Sequence, residues 1–99
     1  MGVYKLRKPI EFEGKTYTEI NLDLESLNGG DILAVGRQFG LVEANQTVLI
    51  KEYNKEYQTY VAARASKLPA ELFFELSAID FSVVTIKVQN FFLEADSEV

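Results

Sequence analysis

Apolar and polar residues alternate on both sides of a single glycine near the start of this chain, and that pattern commits the segment to a β-hairpin. Tyr4, Leu6, Ile10 and Phe12 alternate with Lys5, Arg7, Pro9 and Glu11, the period-two spacing of a half-buried strand. Lys8 interrupts the apolar face and Pro9 withholds a backbone donor, so this is an edge strand. Glu13-Gly14 reads as a two-residue turn, because glycine takes the positive φ that tight hairpins need. The return strand is 15–22, with Thr16, Thr18, Ile20 and Leu22 on one face and Tyr17, Glu19 and Asn21 on the other.

After the hairpin the period changes to that of helices. Asn28-Gly29-Gly30 breaks regular structure and precedes an expected helix over 31–39, with Asp31 at its positive end and Ile32, Leu33, Val35 and Phe39 on its apolar side. Gly40 offers an end to it, and 41–47 reads as a loop. A longer helix is expected over 48–67, where Ile50, Tyr53, Tyr57, Tyr60, Val61 and Leu68 share a face and Ala62, Ala63 and Ala65 favour the conformation. Pro69 suits the first position of a short helix over 69–76 that turns Leu72, Phe73 and Leu76 inward. The segment 81–93 fits two patterns. Val84, Ile86 and Val88 alternate as in a strand, whereas Ile79, Val83 and Ile86, with Val84, Val88, Phe91 and Phe92, suit a helix. Its length, and the capping-box spacing of Ser77-Ala78-Ile79-Asp80, favour helix. The expected architecture is α+β: one small domain spanning 1–99, with a hairpin at 1–22, a helical part at 31–93 and an acidic tail at 94–99 that frays.

Composition narrows the chemistry. The 99 residues include no cysteine and no histidine, which removes disulfides, thiolate sites, Ser-His-Asp triads and imidazole acid–base steps. Ten basic against fifteen acidic residues give a net charge of −5, the wrong sign for a domain that neutralises phosphates. The first residues hold no apolar run fit for a signal peptide, and Leu6 stands where a myristoylation signal prefers Ser or Thr. No stretch approaches the ~20 apolar residues of a membrane span. The cytosol is the expected compartment.

The remaining motifs have modest readings. Gly29-Gly30 lacks the Gly-Lys-Ser/Thr of a phosphate cradle, and Asp31 brings negative charge to the anion position; a turn is the better reading. Glu11 with Glu13, and Glu71 with Glu75, read as solvating carboxylates rather than an acid–base pair. No oxygen-ligand loop is present, and no metal or cofactor is expected. Lys5, Arg7 and Lys8, near Tyr4, Phe12 and Tyr17, offer the elements of a single-strand contact, but protection of an exposed edge from pairing is the better reading. Tyr53, Tyr57 and Tyr60 form either a core stripe or an interface, since tyrosine tolerates a half-wet setting. Neighbours on a helix diverge by about 100°, so the doubled Phe73-Phe74 and Phe91-Phe92 are hard to bury whole. These seven aromatics are the candidate partner contacts.

The run Lys5-Leu6-Arg7-Lys8-Pro9-Ile10-Glu11-Phe12-Glu13-Gly14-Lys15-Thr16-Tyr17-Thr18-Glu19-Ile20-Asn21-Leu22-Asp23-Leu24 resembles the opening of small tail assembly chaperones of long-tailed bacteriophages and prophages. Leu27-Asn28-Gly29-Gly30-Asp31-Ile32, the alanine-rich stretch leading to Leu72, and the span from Asp80 to Leu93 follow that family's order. The resemblance implies a non-enzymatic factor in virion morphogenesis. Its partners would be the tape measure protein, a long helical chain kept soluble and extended, and the major tail protein whose subunits displace the chaperone. It would be absent from the finished particle, and this chain would correspond to the short form where a frameshift yields a longer one. Self-association through the edge strand is a further expectation. The rival readings are a small nucleic-acid-binding phage regulator using Lys5, Arg7 and Lys8, and a structural tail component retained in the virion.

Overall fold

A computed structural model describes residues 2–41 and 53–97. The hairpin is formed by β1 (Val3–Phe12) and β2 (Lys15–Asn21), antiparallel and, among the described residues, paired only with each other. A 3-10 turn at Leu24–Ser26 leads to α1 (Gly29–Gly40), followed by α2 (Lys55–Ser66), α3 (Ala70–Phe74) and α4 (Ala78–Ser97). Among the described residues this is a hairpin and four helices, the α+β arrangement of a hairpin and three to four helices that the pattern predicts.

The turn has φ of 51° at Glu13 and 80° at Gly14. Two positive φ values in a two-residue loop match the right-handed twist of the flanking strands. Glycine accepts this freely, but Glu13 carries a Cβ penalty. The ladder then departs from simple alternation. Ile10 pairs with Tyr17, yet Lys5 pairs with Glu19, so four residues of β1 stand against the single Thr18 of β2. Pro9, which has no N–H to give, lies inside this bulge. The odd register shift carries Tyr17 to the core side beside Ile10 and leaves Thr16 and Thr18 exposed, correcting the expected face of β2.

The bulge exists because its backbone donors are used elsewhere. Arg7 and Lys8 donate their N–H groups to Asp80, at 3.0 Å to Oδ1 and 3.1 Å to Oδ2. Asp80 lies in the first turn of α4, is fully buried, and also accepts from the Tyr4 hydroxyl at 2.7 Å and the Ser77 hydroxyl at 3.1 Å. Its own N–H donates to Ser77 Oγ at 3.2 Å. The capping spacing is therefore real: Ser77 Oγ caps the first turn of α4, while the Asp80 carboxylate takes up the two amides of β1.

Around this clasp the core gathers Leu6, Ile20 and Leu22 from the hairpin side, Val35 and Phe39 from α1, Tyr57 and Val61 from α2, Leu72 and Phe73 from α3, and Val84 and Val88 from α4. Asn28 and Asp31 form a reciprocal capping box at α1, which begins at Gly29 rather than at 31. Asn54 accepts from the N–H groups of Glu56 and Tyr57 with its backbone extended, so α2 begins at Lys55 and the helix expected from 48 is interrupted. Residues 48–52, with Ile50, and the loop expected at 42–47 lie outside the described residues. α2 ends where Lys67 turns left-handed at φ 60°, and Leu68 donates to the Ala63 carbonyl at 3.1 Å. Pro69 caps α3 from outside it, in extended conformation. α4 extends into the acidic segment expected from 94, as far as Ser97.

Two outcomes follow for stability. Burial pushes the Asp80 pKa up, but the Tyr4 hydroxyl, the two β1 amides and Ser77 together hold it below the ordinary aspartate value. A pKa lowered by folding contributes stability above the unfolded-state value and loses it as the pH falls through the native one. Asp31, lowered by the Asn28 amide and then by Arg64, acts in the same window. Asp80→Asn replaces one acceptor oxygen with an amino group facing donors and should cost about 2–4 kcal/mol in urea unfolding. The fall in urea midpoint between about pH 5 and pH 3 should become shallower in that variant, with the Asp31 part remaining. Glu13→Asn should raise the thermal midpoint, by a stabilisation of about 0.5–1 kcal/mol, because asparagine accepts a left-handed turn position at lower cost.

Candidate functional site

The aromatic residues singled out from the sequence fall into three groups. Tyr57 and Phe73 are buried, with Phe39 and Tyr57 packed edge to face at 5.6 Å between ring centres. They present no surface to a partner in this fold, because Tyr57 packs on Phe39 of α1 and Phe73 is enclosed in the core cluster. Tyr60 is half-buried: its ring also meets Phe39 edge on, at 6.4 Å, and its hydroxyl donates to Glu56 at 2.7 Å. Burial, then the Glu56 hydrogen bond and the negative charges of Glu56 and Glu71, push its pKa up to about 12. Phe91 and Phe92 are half-buried against the core and against each other, with ring centres 5.6 Å apart. Tyr53 and Phe74 are the exposed members, and the Phe73-Phe74 pair thus divides between core and surface.

Phe74 is 54% exposed at the end of α3, where the chain bends into α4. With Leu76, Ala78 and Phe81 it lines a shallow, largely apolar hollow of about 340 Å³. Three further large apolar residues emerge along α4 that the partner-contact set from the sequence did not contain: Ile79 at 56% exposure, Ile86 at 48% and Leu93 at 43%. Their seven-residue spacing was present in the sequence. It was hidden because Val84, Val88, Phe91 and Phe92 form a second apolar row on the same helix, and only packing tells which row is covered.

The polar features are less concentrated. Lys5, Arg7 and Lys8 all reach solvent, with Lys5 paired across the ladder to Glu19. The backbone of Arg7 and Lys8, not their charge, makes the structural contact. A second, wider groove of about 560 Å³ lies among Asp31, Tyr60, Arg64, Lys67 and Glu71. Arg64 Nε donates to Asp31 Oδ1 at 2.8 Å across it, joining the start of α1 to the end of α2. Its charges are mixed in sign. Among the described residues no group of three His, Cys, Asp or Glu is placed to hold a metal ion, and no helix is long and apolar enough to cross a membrane.

Comparison with known proteins adds no relative: no family model, curated protein or solved structure matches this chain. The surface itself is therefore the observation on which function rests.

The division of the phenylalanine pair is directly measurable. Phe73→Ala should destabilise the fold by about 3–5 kcal/mol in urea unfolding, as should Tyr57→Ala to a similar degree. Phe74→Ser should stay within about 0.5 kcal/mol of the parent.

Proposed function

We propose that the chain is a tail assembly chaperone of a long-tailed bacteriophage or prophage, working in the cytoplasm of the bacterial host. In this reading it binds the tape measure protein, keeps it soluble, helps recruit major tail protein subunits, and leaves before the virion is complete. The reading starts from the order of sequence segments that resembles that family. The observation that carries it is the apolar hollow at the α3–α4 corner, with Phe74 standing beside it.

A long helical client offers rows of apolar side chains that aggregate unless covered. A shallow apolar seat on rigid helices accepts one turn of such a row without demanding a unique sequence. A net charge of −5 keeps the resulting complex in solution by mutual repulsion. No metal or cofactor enters this account.

Co-expression with the long helical protein encoded beside it in the source genome tests the reading. Soluble co-elution, with several copies of this chain per client and client aggregation in its absence, is the expected outcome. Phe74→Asp should reduce co-elution at least several-fold while leaving the thermal midpoint of the chain alone unchanged. A client that stays insoluble in the presence of the parent chain would overturn the proposal. Salt-dependent binding to DNA through the exposed Lys5, Arg7 and Lys8 would favour the regulator instead, and recovery of the chain from purified virions would favour a structural component.

A further inference from the structure

The exposed row on α4 has a spacing of its own. Ile79, Val83, Ile86, Asn90 and Leu93 are separated by four, three, four and three residues, the a/d repeat of a coiled-coil seam. Successive steps of about 100° keep all five on a narrow strip. Ile79, Ile86 and Leu93 are exposed at the d positions, Val83 is half-buried at one a position, and Asn90 is exposed at the other. The opposite side of the helix, carrying Asp80, Val84, Thr85 and Val88, is buried against the rest of the fold.

Asn90 says what can cover this strip. Its carboxamide, closed into a seam, needs a polar group across the interface. An antiparallel copy sets a positions against d positions, and every d position here is apolar, which would leave the amide unpaired. A purely apolar helix of another protein would do the same. A parallel second copy sets Asn90 against Asn90 of the other chain, where the two carboxamides hydrogen-bond to each other and fix the register. The flanks agree. In that register Lys87 lies near Ser82 of the second copy and Glu94 near Gln89, so no like charges meet.

We infer that the chain forms a parallel two-fold dimer through this α4 seam. The seam is only about 21 Å long, at ~1.5 Å per residue, and as an isolated peptide would be too short to hold a coiled coil. Here the helix is already folded on its own core, so association does not have to order it. The dimer is reversible, and it is independent of whether the α3–α4 hollow binds a tail client.

Sedimentation velocity of the purified chain alone tests the inference. The expected result is a mass that rises with concentration from 11.2 kDa towards twice that value. Ile86→Asp should hold it at the monomer mass at every concentration, with an unchanged circular dichroism spectrum and thermal midpoint showing that the fold is intact. The chain has no cysteine, so a single substitution reports register cleanly. Asn90→Cys should cross-link into a disulfide dimer under mild oxidation, whereas Lys5→Cys should not. A parent chain that stays monomeric throughout, a dimer that survives Ile86→Asp, or a dimer that Asn90→Cys fails to cross-link would each overturn it. So would a monomer whose Ile86→Asp variant loses a helical client, since that result assigns the seam to the client.

Discussion

Asp80 is a carboxylate fully buried in a small protein, a placement that costs several kcal/mol unless its oxygens are fully engaged. They are engaged, by two hydroxyls and two backbone amides, and the bulge in the hairpin follows from that requirement. The amides of Arg7 and Lys8 turn towards the carboxylate only if β1 leaves its ladder. The ladder tolerates this because Pro9 had no amide to contribute at that point. The strand residues Tyr4 and Leu6 are thereby held over the first turns of α4, and Lys87 of α4 rests 5.7 Å from the centre of the Tyr4 ring. A sheet of two strands is marginal by itself in water, and here it is completed by a helix instead of a third strand.

The same helix serves two surfaces. One row, Val84 and Val88 with Phe91 and Phe92 at its margins, closes the core against α2, where Lys55 also donates to Thr85 and Gln58 to Gln89. The other row faces outward. Globular proteins normally give the outward side of such a helix to charge, and α4 places Lys87 and Glu94 beside its exposed strip. An apolar row left uncovered costs solubility, and the net charge of the chain offsets that cost. The hollow beside Phe74 lies at the start of this helix, so the two candidate contact regions are close in sequence yet chemically distinct.

Much of the fold was legible because its signals are local. The alternation around Glu13-Gly14, the Asn28 break, the Pro69 position and the Ser77-Asp80 spacing each act within a few residues, and each marks a real boundary. The features that escaped depend on contacts far along the chain. The bulge in β1 requires an acceptor more than seventy residues away. Asn54 interrupts the helix expected from 48 through a capping bond that competes with good helical periodicity on both sides. The fate of Tyr57 against Tyr53, or of Phe73 against Phe74, depends on how each helix is rotated against its neighbours, which periodicity does not specify. The surface was legible only as a set of candidates, of which packing withdrew Tyr57 and Phe73 and to which it added Ile79, Ile86 and Leu93.

The bulge in β1 also has a consequence for how the protein is made. A ribosome releases the hairpin long before it releases residue 80, so during most of synthesis the amides of Arg7 and Lys8 have only water as a partner. The emerging strands can slide between registers in that interval, since nothing yet rewards the three-residue offset. The native register is selected when the last helix arrives and its carboxylate takes hold of both amides. The native register is therefore complete only once the first and the last elements of the fold are both in place.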